Sequence, residues 1–449
     1  MKKRRIITAL LGLTLAATLA SCGSKGDTGE KGDKGADGNG IVSVVKTGSN
    51  GLIDTYTITF ENGTTTTFEI QNGEQGEAAT KYYPVVFRND SGDFLDADFV
   101  EAGSNATYHC QNLPEKFITV GDDEIYYEGS WDKSLNNIQA ATNITYKFKG
   151  YARKNNKIYF GSYPQELVIN DDLKEELNSY YDALPTSDEL SGWTAYDYYY
   201  QNEQHDYTYY IDVDVNEDGN YDYRGVYFTE YRPSRVSYQA TIDKSSQDDH
   251  NYLINNVYWF EYQPIEWNIL KEEDGKALVL SNSILDAKEI YPTVSTAEFE
   301  HNGDTGYATN YKLSDIRRWL NKTFFEIYFD NAEQEIFVET LIDNSEQSTA
   351  ITNNPYICDD TNDNIFLLSR YEATNLFVDS NARKAMGSDY AKCQGLKYCA
   401  NGYSYWWTRS PYNANAFNFN SCTDGGGLGN YDAPGSTHIG VRPACWIEL

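Results

Sequence analysis

Three groups of residues have types and spacing that could do chemistry. The first is the run from Asp212 to Asp222, in which Asp214, Asn216 and Asp218 alternate before Gly219. Oxygen side chains at alternating positions ahead of a turn-making glycine can converge on Ca2+. The twelfth position counted from Asp214 is Gly225, so the bidentate glutamate of a full loop is missing. A shortened calcium loop and an acidic β-turn are the two readings of this stretch. The second group is Trp406, Trp407, Arg409 and Arg442, which combine flat apolar faces with bidentate donors. Such residues carry binding energy at interfaces, so they are the ligand-binding candidates; the alternative places the tryptophans in a core and the arginines on buried carbonyls or carboxylates. The third is the cysteines. Cys393 and Cys399 are the nearest pair and the local disulfide candidates, with buried free thiols as the alternative. No catalytic residue is assigned. Gly-x-Ser-x-Gly and His-Glu-x-x-His are absent, and the five histidines are scattered. The glycine run Asp424–Gly429 lacks the lysine and hydroxyl residue of a phosphate loop and reads as a surface loop.

The elements that must position these groups begin with an address. Met1-Lys2-Lys3-Arg4-Arg5 precedes an apolar run to Leu19, the layout of a secretory signal over residues 1–21. Its ending, Leu19-Ala20-Ser21-Cys22, resembles the lipobox of bacterial lipoproteins. The resemblance implies that Cys22 is lipidated and that the mature chain is anchored on the outer side of a bacterial cell membrane. Two acyl chains would hold it firmly. Across 449 residues, 67 acidic against 36 basic side chains leave a net charge of −31, which repels phosphate backbones and excludes nucleic acid as a partner. The 39 tyrosines suit half-wet β-surfaces.

Residues 22–40 place glycine at every third position from Gly26 to Gly38. This is collagen-like, but without proline it reads as a charged spacer. Residues 41–78 form a small β-hairpin unit: Tyr56, Ile58 and Phe60 alternate on one face, and Phe68 and Ile70 meet them across a turn at Asn62-Gly63. Residues 82–150, with Val85-Val86-Phe87, Tyr127-Glu128-Gly129-Ser130-Trp131-Asp132 and Ile144-Thr145-Tyr146-Lys147-Phe148, resemble the internalin-type B repeat, a β-grasp-like extracellular module. Trp131 reads as core.

Residues 156–449 form the largest unit. Their ordered segments are Phe160-Gly161-Ser162-Tyr163-Pro164-Gln165, Pro264-Ile265-Glu266-Trp267, a helix capped by Ser314, Trp406-Trp407-Thr408-Arg409-Ser410 and Gly440-Val441-Arg442-Pro443. Together they resemble a bacterial surface family known as domain of unknown function 6273, interrupted by a tyrosine-rich insert at about 170–260. The closing segments are more loosely similar to C-type-lectin-like and formylglycine-generating-enzyme folds. The expected architecture is therefore multidomain, with β-rich N-terminal modules followed by a C-terminal α+β domain. The serial modules point to a cell-surface binding or adhesion protein that meets a host or bacterial glycan or protein. An envelope or glycan-acting enzyme and a structural stalk are the alternatives.

Overall fold

A computed structural model describes residues 40–72, 80–186, 188–196, 198–200, 203–205, 208–233, 246–292, 295–413, 415–432 and 434–449. Cys22 and the collagen-like triplets before Gly40 lie outside the described residues. The chain is β-rich, with several sheets and short helices. It divides into two compact units. One holds the described residues up to Phe117 together with Tyr126–Lys149, and the other holds Ile118–Ile125 and Gly150–Leu449.

In the first unit, Ile41–Asn50, Ile53–Phe60 and Thr65–Gln71 form an antiparallel sheet. Asn62-Gly63 makes the expected turn: Gly63 adopts φ +78°, and the Asn62 side chain accepts from the Thr64 amide at 2.9 Å. Tyr56 then faces Phe68 in register, with the rings stacked 5.4 Å apart, whereas Ile70 pairs with Asp54. A second group of strands joins Tyr82–Arg88 antiparallel to Phe94–Glu101 and parallel to Thr142–Thr145. Its core contains Val85, Phe87, Val100 and Ile144. Trp131 packs edge-on against Phe87 at 5.1 Å and Tyr146 at 5.0 Å, so its ring serves this core.

The second unit is arranged around the strand Val257–Glu273. Its first part pairs with Tyr223–Phe228, its middle with Lys157–Leu167 and its last part with Lys276–Ser281, all antiparallel. Pro264 has no amide to give to a ladder, and the register shifts between it and Glu266, where a bulge absorbs the missing donor. Beyond the bulge, Trp267 is fully buried, stacks on Phe160 at 4.9 Å and donates its indole N–H to the Phe160 carbonyl at 3.0 Å. The tyrosine-rich insert contributes Thr208–Val213, which pairs with Tyr223–Phe228 and so widens the same sheet. Ala444–Glu448 and Ile365–Phe366 extend the opposite side through Lys276–Ser281. A second sheet collects Asp286–Ala287, Gly440–Val441, Trp406–Pro411, Phe419–Cys422 and Leu428–Asp432.

Ser314 caps Asp315–Trp319 as its position predicts, accepting from the Arg317 amide at 3.3 Å. The helix buries Ile316 and Leu320 and runs through a wider π turn, Leu320–Phe324, into Phe325–Ile327. The glycine run at 424–429 is a packed turn. A Cβ on Gly426 would stand 1.7 Å from the Ser380 carbonyl oxygen, and its φ is +76°.

Trp267 fills the joint between the two longest strands of this unit. Trp267→Ala is expected to lower stability by about 3–5 kcal/mol, read from urea unfolding of the whole chain; a loss within error of zero would contradict its place in the core.

Candidate functional site

The structure corrects the ligand-binding assignment at the C-terminal end. Trp406 and Trp407 are fully buried. Their indole N–H groups donate to the carbonyls of Arg383 at 3.1 Å and Lys288 at 2.8 Å, so neither ring is available as a platform. Arg409 is also buried. It grips Glu372 with two bonds, of 2.5 and 3.1 Å, and donates to the carbonyls of Leu367 and Asp343. Burial alone would push the Glu372 carboxyl up; Arg409 and Ser369 together hold it below the usual carboxylate range. Arg442 meets the carbonyls of Ser281, Arg383 and Asn282 and lies 5.3 Å over the Trp406 ring. Burial pushes its guanidinium down to about 10. These four residues fasten the second sheet to its surroundings, which is the alternative the sequence left open.

The other two groups also have definite places. Asp214 accepts from the amides of Asp218 and Gly219, Asn216 from that of Asp218, and Asp218 from that of Asn220. The acidic loop is thus a cross-braced hairpin turn between Thr208–Val213 and Tyr223–Phe228. Among the described residues, no group of three or more His, Cys, Asp or Glu side chains is placed to hold a metal. The local disulfide expectation is corrected as well: Cys393 and Cys399 are free thiols. Cys393 ends the helix Asp389–Cys393 with its side chain fully buried in the main core, while Cys399 sits half-buried in the loop beyond.

That helix and loop form one wall of a cleft of about 490 Å³, a size suited to a small ligand. The opposite wall comes from 249–258. Tyr398 is 50% exposed and Met386 55% exposed at its rim, and Tyr403 also lines it. Polar groups stand between the apolar faces: Asp249, Asn251, Asp389, Lys392 and Lys397. His250 directs Nε2 to the Leu396 carbonyl at 2.9 Å and meets Tyr398 edge-on at 5.2 Å. Burial holds its imidazole below the usual histidine range, and burial pushes the Cys399 thiol up.

The walls are clamped from beneath. Gln247 accepts from the Arg232 amide at 2.7 Å and donates to the Cys393 carbonyl at 2.8 Å. Arg232 reaches the carbonyls of Ala287 and Gln394 and pairs with Glu289 at 2.8 Å. Tyr252 donates to the Asp389 carbonyl at 3.0 Å. Deeper still, Tyr390 accepts from Arg224, whose guanidinium forms two 2.7 Å bonds to Asp212. Sequence reasoning missed this cleft because its walls are remote in the chain; only the tyrosine enrichment hinted at it.

Residues 274–449 match a family model described as a domain of unknown function, DUF6273. The match begins later than the sequence resemblance implied, so 156–273 stands outside it. No curated protein and no solved structure matches the chain. The cleft therefore has one wall inside the family-like stretch and one outside it.

The Arg409–Glu372 pair has a consequence for pH dependence. A carboxylate held below its ordinary value of 4.5 contributes stability that is complete above that value and is lost as pH falls through the folded one. Glu372→Gln is expected to cost about 3–5 kcal/mol at neutral pH by leaving Arg409 buried without its partner. The gap to the parent protein should narrow as pH falls below 4.5. Urea midpoints at several pH values measure both; a gap that stays constant into acid would remove the linkage.

Proposed function

We propose that the chain is a bacterial surface lipoprotein that binds a ligand without transforming it, and that the cleft between 249–258 and 386–404 is its recognition site. One observation carries this reading: exposed aromatic and thioether surface at the rim of a cleft set with carboxylate, amide and ammonium groups. Tyrosine faces stack on apolar sugar faces while such polar groups bond hydroxyls, so a surface glycan is the ligand class favoured. The anchor in this proposal is lipid on Cys22, with residues 22–40 as spacer. The finer fold readings, β-grasp-like for 82–150 and lectin-like α+β for the C-terminal domain, belong to the same proposal.

An enzyme acting on glycan is the second reading. It draws on His250, an imidazole whose burial in this same cleft disfavours its charged form.

Two experiments test the proposal. Binding of the purified soluble chain to immobilised bacterial and host glycans should be saturable and should fall about tenfold or more in Tyr398→Ala, an exposed position that leaves the core intact. Equal binding by the variant would remove the cleft as the site, and release of shortened oligosaccharide would move the reading to an enzyme. In cells, Cys22→Ala should shift the protein out of the membrane fraction. Retention there would end the lipoprotein reading.

A further inference from the structure

A second concavity, of about 280 Å³, lies along the helical run that starts at Asp315. Lys312, Arg317, Arg318 and Lys322 line it in a chain whose net charge is −31. Two of these cations are spent on structure. Arg317 donates to Asp363, a fully buried carboxylate, at 2.7 Å and to the Lys312 carbonyl at 3.0 Å, while Lys312 pairs with Asp359 at 2.8 Å. The other two are not neutralised. Among the described residues, no carboxylate lies within 4.0 Å of Arg318 or Lys322. Arg318 meets the Asn302 amide oxygen at 3.1 Å, and both side chains are exposed.

The spacing of these two residues brings them to one side of the helix. The wall behind them is rigid. Asn321 donates to the carbonyls of Arg317 and Ile365 and accepts from the amides of Asn364 and Ile365. The nearby carboxylate of Asp315 is turned onto His301 at 2.9 Å and Asn302 at 3.0 Å. What remains open is a guanidinium fork beside an ammonium, on a surface whose overall charge disfavours anions.

We propose that this concavity binds the sulfate or phosphate ester group of an anionic sugar polymer. Arg318 supplies the planar fork that matches two ester oxygens, and Lys322 supplies a point charge. The space admits a substituent of a sugar ring rather than a whole oligosaccharide, so the polymer backbone stays outside and the charge enters. The inference goes beyond the glycan cleft, since it concerns a different surface and a different chemical group.

The test uses the full soluble chain and isothermal titration at low ionic strength with a sulfated oligosaccharide, its desulfated counterpart and inorganic sulfate. The sulfated oligosaccharide should bind more tightly than the other two, with affinity falling as salt is added. The double substitution Arg318→Gln/Lys322→Gln should weaken it by about tenfold or more. A control pair, Lys174→Gln/Lys271→Gln, removes the same charge elsewhere and should leave affinity unchanged. Equal binding by the parent and the Arg318→Gln/Lys322→Gln variant would overturn the proposal. Equal loss in the control pair would also overturn it, because the attraction would then be diffuse. Inorganic sulfate binding as tightly as the oligosaccharide would replace the polymer with a free anion. Tyr398→Ala, carried through the same titrations, should leave the difference between sulfated and desulfated sugar in place, which separates this site from the cleft.

Discussion

The C-terminal unit depends on one strand having three partners in succession. Val257–Glu273 is too long to be matched by any single neighbour, so it hands its hydrogen bonds from Tyr223–Phe228 to Lys157–Leu167 and then to Lys276–Ser281. This exchange joins the tyrosine-rich insert, the opening Phe-Gly-Ser-Tyr-Pro-Gln segment and the family-like stretch within one sheet. Side chains then lock what the backbone has aligned: Trp267 and Phe160 on one register, Tyr262 and Asp212 on another at 2.9 Å. A buried arginine beside its carboxylate is stable only because the surrounding tyrosines leave few polar atoms without a bond. Arg224 lies 4.3 Å over the Tyr210 ring and bonds both oxygens of Asp212.

The local turns and caps were the legible part of the chain, and the physical reason is that they need few residues. Asn62-Gly63 specifies a turn through one positive φ, and Ser314 specifies a helix start through one side-chain acceptor. Trp131 packs against its core for a related reason: an indole with aromatic side chains on neighbouring strands has ring partners in reach on its own sheet.

The candidate site was much less legible. Trp406, Trp407, Arg409 and Arg442 have the composition of an interface, but the same composition builds a core when backbone carbonyls and a carboxylate are at hand to receive the donors. Nothing in the local sequence announces that Arg383 and Lys288 will present their carbonyls to the two indoles. The cleft has the opposite problem. Its residues are unremarkable one by one, and they become a site only because Gln247 and Arg232 tie two distant segments together. Long-range hydrogen bonds of this kind leave no periodicity to read.

Cys358, Cys393, Cys399, Cys422 and Cys445 are all unbridged, and burial pushes every one of their thiols up. Thiolate is the nucleophile that attacks oxidants and disulfides, so a folded chain that holds these groups as thiols offers little of it. The same five sulfurs are ordinary reactive groups in a chain that has not yet collapsed. Oxidation and folding are therefore competitors in time. For Cys393, Cys422 and Cys445, which are buried, the tertiary structure acts as a protecting group installed by folding itself, and their vulnerable interval ends when the core closes around them.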